Sequence, residues 1–213
     1  MKVLVIESAS PDDFYNDQLD GNATSQLLRL LEIDFEMCIA LDERRLSRAL
    51  KFADSGNFDV IHLSCHGDKD GIQLANRTCI DWEPFAKLFQ KCRAHPRALV
   101  MSACCGASSG IGRAFANVPL QPNIIFGSTD ERYYHDYAVA WAILYRVFLL
   151  NGVHRDAAQQ ALAHINAVVS AKFKYRRWDD TENKYLVFPG TMADYGVVDL
   201  AELKEEGVEA VAI

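Results

Sequence analysis

Short continuous apolar runs recur along the chain and alternate with segments whose apolar residues follow helical spacing. An apolar run bounded by polar residues is typical of a strand that is buried on both faces of a sheet. Six such runs predict strands at Lys2–Ile6, Phe35–Leu41, Phe58–Ser64, Ala98–Ala103, Asn123–Ser128 and Tyr185–Phe188. Helical spacing predicts helices at Thr24–Leu31, Asp42–Ala53, Trp82–Cys92, Ile111–Asn117, Tyr134–Leu150 and Asp156–Val169. This alternation predicts an α/β sandwich, with a mostly parallel sheet of about six strands flanked by helices.

Three other segments are predicted from their polar composition. Glu7–Gly21 is rich in Ser, Pro, Asp and Asn, and Lys174–Asn183 is rich in charged residues, so both are predicted to be loops. Gly71–Ile80 is predicted to form a small hairpin. A solvated loop at Lys174–Asn183 is the plain interpretation; the alternative is that its basic residues flank a cleft and bind an acidic partner. The basic residues of this region are Lys172, Lys174, Arg176 and Arg177.

Charge is distributed unevenly over the 213 residues. The formal net charge is −7, and the segment from Asp179 onward accounts for all of it, with nine acidic and two basic residues. A neutral body with an acidic end argues against nucleic acid as the main partner. The sequence shows no repeat and no linker, so we expect a single domain over 1–213, with a core at about 2–190 and an acidic extension at 191–213.

The composition also limits the compartment and the cofactors. No apolar run reaches the roughly 20 residues that a membrane span needs, and the first residues do not resemble a signal peptide. We therefore expect a cytoplasmic protein, in which the six cysteines are free thiols. None of them forms a C-x-x-C pair, which gives no support for a zinc or redox site. We expect no cofactor and no metal.

Candidate chemistry follows the third and fourth apolar runs. Functional groups of open α/β sheets collect beyond the carboxyl ends of the strands. His66 and Gly67 follow the third run, and Cys104 follows the fourth. One helical crossover separates the two runs, and a right-handed crossover makes such strands neighbours. We therefore expect His66 and Cys104 at the same edge of the sheet.

A cysteine and a histidine in this arrangement are suited to acyl transfer. The thiolate attacks a carbonyl carbon, and the imidazole first takes the thiol proton and then gives it to the leaving amine. The backbone N–H groups of Gly67 and Cys104 are candidates for an oxyanion hole. The alternatives are that the cysteines are buried structural thiols and that His66 is a turn residue without a chemical role.

The motifs around these residues resemble those of the caspase-like cysteine peptidases. Ala103-Cys104-Cys105-Gly106 matches the caspase-type A-C-x-G pattern, and Ser102 stands where caspases have glutamine. The longer stretches resemble the CHAT branch, which comprises separase-like and caspase-like peptidases, over about Lys2–Gly190. These stretches are DVIHLSCHGD (Asp59–Asp68), GIQLA (Gly71–Ala75), ALVMSACCG (Ala98–Gly106), FGSTD (Phe126–Asp130) and KYLVFPG (Lys184–Gly190). The resemblance implies a caspase-like three-layer sandwich and a cysteine endopeptidase.

The resemblance also implies roles for individual residues. Cys104 takes the position of the nucleophile and His66 that of the base, while Cys105 takes a variable position and is expected to be buried. Asp130 and Glu131 follow the fifth predicted strand, where pocket carboxylates bind a basic substrate residue in several such families. The alternative is that Asp130 only caps a helix or forms an Asx turn. His62 and Cys65 are expected to be core residues.

Three functions are compatible with these observations. The first is a cysteine endopeptidase acting on a protein or peptide substrate, controlled by an activating protein partner; relatives in bacteria imply a role in defence or regulated cell death. The second is a catalytically silent caspase-fold interaction module. The third is a flavodoxin-like nucleotide-binding regulator, which is weakened because no G-x-G-x-x-G or Walker sequence follows the first strand.

Overall fold

A nine-stranded mixed sheet forms the centre of the molecule, for which a computed structural model describes residues 1–93, 95–169 and 172–188. Seven strands follow one another across the sheet in the order β2-β1-β3-β6-β7-β8-β9, and the hairpin β4-β5 joins the end of β3. The first five strands in this order are parallel to one another, β8 pairs antiparallel with β7, and β9 pairs antiparallel with β8. The strands are β1 (Lys2–Ser8), β2 (Asp34–Ile39), β3 (Val60–Gly67), β4 (Gly71–Gln73), β5 (Cys79–Asp81), β6 (Ala98–Ser102), β7 (Ile124–Ser128), β8 (Phe173–Asp179) and β9 (Lys184–Phe188).

Helices cover both faces of this sheet, which gives the expected three layers. The clusters of buried side chains assign α3, α4 and α5 to one face and α2, α6 and α7 to the other. The helices are α1 (Pro11–Tyr15), α2 (Asp20–Leu30), α3 (Glu43–Gly56), α4 (Trp82–Phe89), α5 (Ser109–Ala116), α6 (Tyr134–Asn151) and α7 (Arg155–Val168). The described residues include no helix that is long and apolar enough to cross a membrane.

Both clusters are built from the alternating faces of the same strands. In β6, for example, Leu99 and Met101 belong to the cluster under α4 and α5, whereas Val100 belongs to the cluster under α6 and α7. All five residues of β6 are buried, as expected of a strand in the middle of a parallel sheet. A strand that is covered by helices on both faces needs apolar residues at consecutive positions, which is why continuous apolar runs in the sequence predict this sheet.

Two of the predicted loops are wrong in part. Most of Lys174–Asn183 belongs to strand β8, because Phe173 and Tyr175 alternate with polar residues and pack into the core. Arg176 is buried and does not lie in a solvated loop. The segment Glu7–Gly21 contains the short helix α1, which begins with a capping box between Ser10 and Asp13.

The remaining differences concern where elements begin and end. Strand β3 continues to Gly67, beyond its predicted end at Ser64, because its last residues pair with β4. The hairpin predicted within Gly71–Ile80 is present as β4 and β5. The sheet has seven strands along its main path, where about six were expected. The acidic extension at 191–213 lies outside the described residues.

Candidate active site

Strands β3 and β6 bring His66 and Cys104 to the same edge of the sheet. The two strands are parallel neighbours, with Ser64 of β3 opposite Ser102 of β6. His66 and Cys104 each lie two residues beyond this pair, and both line a single cavity of about 340 Å³. The cavity also receives residues from the β1–α2 connection and from the connection between β7 and α6. The expected pair of side chains therefore shares one cleft at the carboxyl edge of the sheet.

Gly67 lies directly against the turn that carries Cys104. A Cβ atom at this position would be 2.8 Å from the Cys104 carbonyl oxygen and 3.2 Å from the Ala103 side chain. Only glycine allows β3 to approach the turn so closely. The Cys104 N–H has no acceptor within hydrogen-bond distance among the described residues. Gly67 and Cys104, the residues predicted to form the oxyanion hole, are thus adjacent, and the Cys104 N–H is free to donate a hydrogen bond to a substrate.

The His66 imidazole is held by a carboxylate that was not among the residues predicted from the sequence. Its Nε2 atom lies 2.7 Å from Oδ2 of Asp13, and the imidazole is 51% exposed. Burial favours the neutral form of Asp13, but hydrogen bonds from Ser10 and the interaction with His66 outweigh it, so the pKa of Asp13 is lowered. The signal available in the sequence was Ser10-Pro11-Asp12-Asp13, whose capping box fixes Asp13 at the start of α1.

The Cys104 thiol makes its contacts with the backbone of Arg132. The Arg132 N–H donates a hydrogen bond to Sγ over 3.4 Å, and the Arg132 carbonyl oxygen lies 3.9 Å from the same sulfur atom. Within the described part of the chain, no hydrogen bond joins Cys104 to His66. Catalytic pairs are often separated in this way before substrate binds.

The neighbouring thiols of Cys105 and Cys65 are partly buried, as Cys104 is, whereas the sequence predicted a buried Cys105. Cys105 is half-buried and has a positive φ of 58°, and its N–H donates to the Asp130 carbonyl. Burial, with the charge of Cys104 close by, raises the pKa of the Cys105 thiol. Burial also raises the pKa of Cys65, which packs against the core. Both groups are therefore poor sources of thiolate.

Asp130 and Glu131 are not among the residues that line the cavity with Cys104. The Asp130 carboxylate instead forms a two-point ion pair with Arg132 and accepts a 2.9 Å hydrogen bond from the Ser128 hydroxyl. This arrangement holds the turn whose backbone contacts the Cys104 thiol. A role for Asp130 and Glu131 in substrate binding stays a prediction.

Two other carboxylates line the cavity, and neither was among the site residues predicted from the sequence. Glu7 is 4% exposed and accepts hydrogen bonds from the backbone N–H groups of Gly21 (3.1 Å) and Asn22 (2.7 Å). Burial raises the pKa of Glu7 in spite of these bonds. Asp20 is 13% exposed, and neither of its carboxylate oxygens has a hydrogen-bond partner among the described residues.

His62 lies beneath these carboxylates and is completely buried. Its Nδ1 atom lies 2.9 Å from the Tyr145 hydroxyl, and its Nε2 atom lies 3.6 Å from Asp20 Oδ2. His62 is thus a hydrogen-bonded core residue that adjoins the floor of the cavity. The described residues contain no cluster of three or more His, Cys, Asp or Glu side chains able to hold a metal ion.

Two solved structures are similar to this chain. One is a secreted C11 cysteine protease, iotapain, of Bacteroides thetaiotaomicron, with a TM-score of 0.56 and 13% identity over 85% of this chain and 66% of that one. The other is the complex of the pro- and mature domains of RgpB of Porphyromonas gingivalis, with a TM-score of 0.51 and 13% identity over 76% of this chain and 43% of that one. The chain has the caspase-like fold.

The caspase-like fold found here is that of known cysteine proteases. This chain spans less than two thirds of the length of either matched chain. No family model matches the sequence, and no curated protein does. At 13% identity the likeness extends to the fold, and the CHAT branch rests on the sequence motifs alone.

Proposed function

We propose that this protein is a cysteine endopeptidase in which Cys104 is the nucleophile and His66 is the general base and acid. The observation that carries this proposal is the cavity that both side chains line, in which a carboxylate also holds the imidazole of His66. A nucleophile, a base and a group that orients the base are the three parts of such a site.

The reaction follows from these positions. His66 takes the Cys104 proton, and the thiolate attacks the scissile carbonyl carbon. The negative charge that develops on the carbonyl oxygen is stabilised by the backbone N–H groups of Gly67 and Cys104. His66 then protonates the leaving amine, which leaves an acyl group on Cys104. Water, deprotonated by His66, hydrolyses this thioester and restores the thiol.

The charge of the cavity supports a basic residue immediately before the scissile bond. Glu7 and Asp20 line it, and neither oxygen of the buried Asp20 carboxylate accepts a hydrogen bond among the described residues, although Oδ2 lies 3.6 Å from Nε2 of His62. A guanidinium or ammonium group of a substrate would donate the hydrogen bonds that these oxygens lack. We propose that these two residues, rather than Asp130 and Glu131, form the floor of the specificity pocket.

The biological setting of this activity is proposed from the resemblance to the CHAT branch. It comprises a cytoplasmic peptidase, activation by a protein partner, and a role in bacterial defence or regulated cell death. RgpB is seen as a complex of its pro- and mature domains; by analogy we propose that this chain binds a protein segment or partner that controls it.

Replacement of Cys104 tests the proposal directly. We expect Cys104→Ala to abolish both peptide hydrolysis and labelling by a cysteine-directed peptidyl probe, because the nucleophile is lost. The matched variant Cys105→Ala should keep most of the activity. Circular dichroism of both variants checks that they are folded.

A catalytically silent module is the second candidate, and one observation favours it. The Cys104 thiol contacts Arg132 and not His66. Absence of hydrolysis and of probe labelling in the wild-type chain, over a broad peptide panel, would support this second function and contradict the first.

A further inference from the structure

Arg176 is a buried cation at the base of the turn that carries Cys104. It lies in β8 and is 7% exposed. Its Nε and Nη2 atoms both donate to the carbonyl oxygen of Ala107, over 3.1 and 3.0 Å. The guanidinium thus grips one backbone carbonyl three residues beyond the candidate nucleophile.

This cation has no counter-charge in the part of the chain that the structure describes, since no carboxylate lies within ion-pair distance of it. Burial, together with the nearby charge of Arg113, lowers the pKa of Arg176 to about 10. The group is still charged at neutral pH. A buried charge without a counter-charge destabilises a fold, so a neutral side chain of similar length would be the more stable choice at a purely structural position.

Neighbouring glycines make room for this contact. A Cβ on Gly112 of α5 would lie 3.1 Å from both Cδ and Nη1 of Arg176. A Cβ on Gly127 of β7 would lie 3.3 Å from the backbone nitrogen of Ala107. The glycine of α5 therefore leaves space for the Arg176 guanidinium, and the glycine of β7 leaves space for the turn at Ala107.

Other hydrogen bonds also hold the turn: two close within it, from the N–H groups of Gly106 and Ser108, and the Arg132 N–H binds the Cys104 sulfur. The Ala107 N–H donates to the Ser128 carbonyl over 2.7 Å, and the Cys105 N–H donates to the Asp130 carbonyl over 3.1 Å. Both of these bonds fasten the turn to the end of β7. Arg176 binds the turn from β8, a different strand, and its acceptor is the Ala107 carbonyl oxygen.

We propose that Arg176 is a positioning residue, which fixes the Ala107 carbonyl and thereby aligns the Cys104 thiol and its backbone N–H for the reaction. This inference rests on the proposed peptidase function. A displacement of about 1 Å in a reacting group lowers a rate on the order of 100-fold, so the turn must be held in place even at a cost in stability.

Three variants test this role. Arg176→Met removes the charge and both hydrogen bonds at similar length, Arg176→Lys keeps the charge and one donor, and Arg177→Met is the matched control on the neighbouring residue of the same strand. For Arg176→Met we expect kcat to fall at least about tenfold with KM unchanged, while the melting temperature changes little. The kcat of Arg176→Lys should lie between those of Arg176→Met and the wild type, and Arg177→Met should match the wild type.

Amide hydrogen exchange gives a second readout, which does not need activity. In Arg176→Met we expect the N–H groups of Cys105 and Ala107 to exchange at least about tenfold faster, with α7 unaffected. If the wild type hydrolyses no peptide, the proposed function fails and this exchange alone decides the role of Arg176. Unchanged exchange, an unchanged kcat or a change confined to KM would each overturn the inference. If Arg176→Met does not fold, Arg176→Lys is measured instead, and values equal to those of the wild type would overturn it.

Discussion

At the scale of single residues, the contact between Asp13 and His66 has the clearest chemical consequence. A carboxylate that binds one nitrogen of an imidazole fixes the orientation of the ring and stabilises the imidazolium that forms when it takes a proton. Asp13 can do this at all pH values of interest, because its pKa is lowered from 3.8. The contribution of this carboxylate to stability is present above that ordinary value and is lost as the pH falls through the lowered pKa.

We therefore expect Asp13→Asn to lower kcat at least about tenfold while KM changes little. The reason is that asparagine keeps the shape of the side chain but not the charge that stabilises the imidazolium. Steady-state hydrolysis of a fluorogenic peptide measures this effect. Asp12→Asn is the control, since Asp12 is an exposed acid in the same first turn of α1. Equal kcat values for the two variants would refute the role of Asp13.

The residues of the site were only partly predictable from the sequence. Cys104 and His66 stand out because each follows a buried strand and is close to a glycine. Asp13, Glu7 and Asp20 do not, because they are common surface residue types in a polar segment. Their roles arise only when β1 and α2 fold against the end of β3, which is a tertiary arrangement.

At the scale of elements, the strands that are buried on both faces were predictable from the sequence. Strand β8, which alternates apolar and charged residues, was not. Strands β1, β3, β6 and β7 are continuous apolar runs. Strand β8 alternates aromatic and basic residues, and its Arg176 is buried through a contact with the distant Ala107. A basic run of this kind has the composition of a solvated loop, so the sequence alone does not show that it is a strand. Its antiparallel pairing with β7 shows this.

Two segments at the carboxyl edge of the sheet are candidates for determining substrate specificity. The end of β1 and the start of α2 bring Glu7 and Asp20 to the cavity, whereas the connection after β7 carries Asp130, which is bound to Arg132. We expect Asp20→Asn to lower kcat/KM for a peptide with arginine before the scissile bond about tenfold or more, relative to a neutral peptide. Asp130→Asn should leave this ratio of the two peptides unchanged.

The pH dependence of KM for the arginine peptide tests whether Glu7 behaves differently from an ordinary surface acid. Its pKa is raised above the usual 4.5 by burial, so Glu7 becomes neutral at a higher pH than an exposed glutamate does. Because a neutral side chain attracts a cation less, KM for the arginine peptide should rise as the pH falls through this raised pKa. Glu7→Gln should remove that dependence. A ratio of the two peptides that responds to Asp130→Asn alone would instead support the prediction made from the sequence.

At the scale of the whole molecule, Cys104 and His66 line one cavity, but no hydrogen bond joins them among the described residues. Oδ2 of Asp13 holds Nε2 of His66, and the backbone of Arg132 holds the Cys104 thiol. The walls of the cavity come from the ends of β1 and β3 and from the segments that follow β1, β6 and β7. Formation of a hydrogen bond between Cys104 and His66 therefore requires the present contacts of the thiol or of the imidazole to change.

We consequently expect the purified full chain to be a weak peptidase on its own. Its kcat/KM for the best peptide should lie below about 10⁴ M⁻¹ s⁻¹, the lower end of the range for efficient enzymes. Measurement over a wide range of protein concentration identifies the cause. A specific activity that rises with protein concentration indicates that a second copy of the chain brings Cys104 and His66 together. A low, constant specific activity indicates that another protein or the substrate itself must bring them together. A high and constant activity would contradict this prediction, because it would require the pair to be joined in the isolated chain.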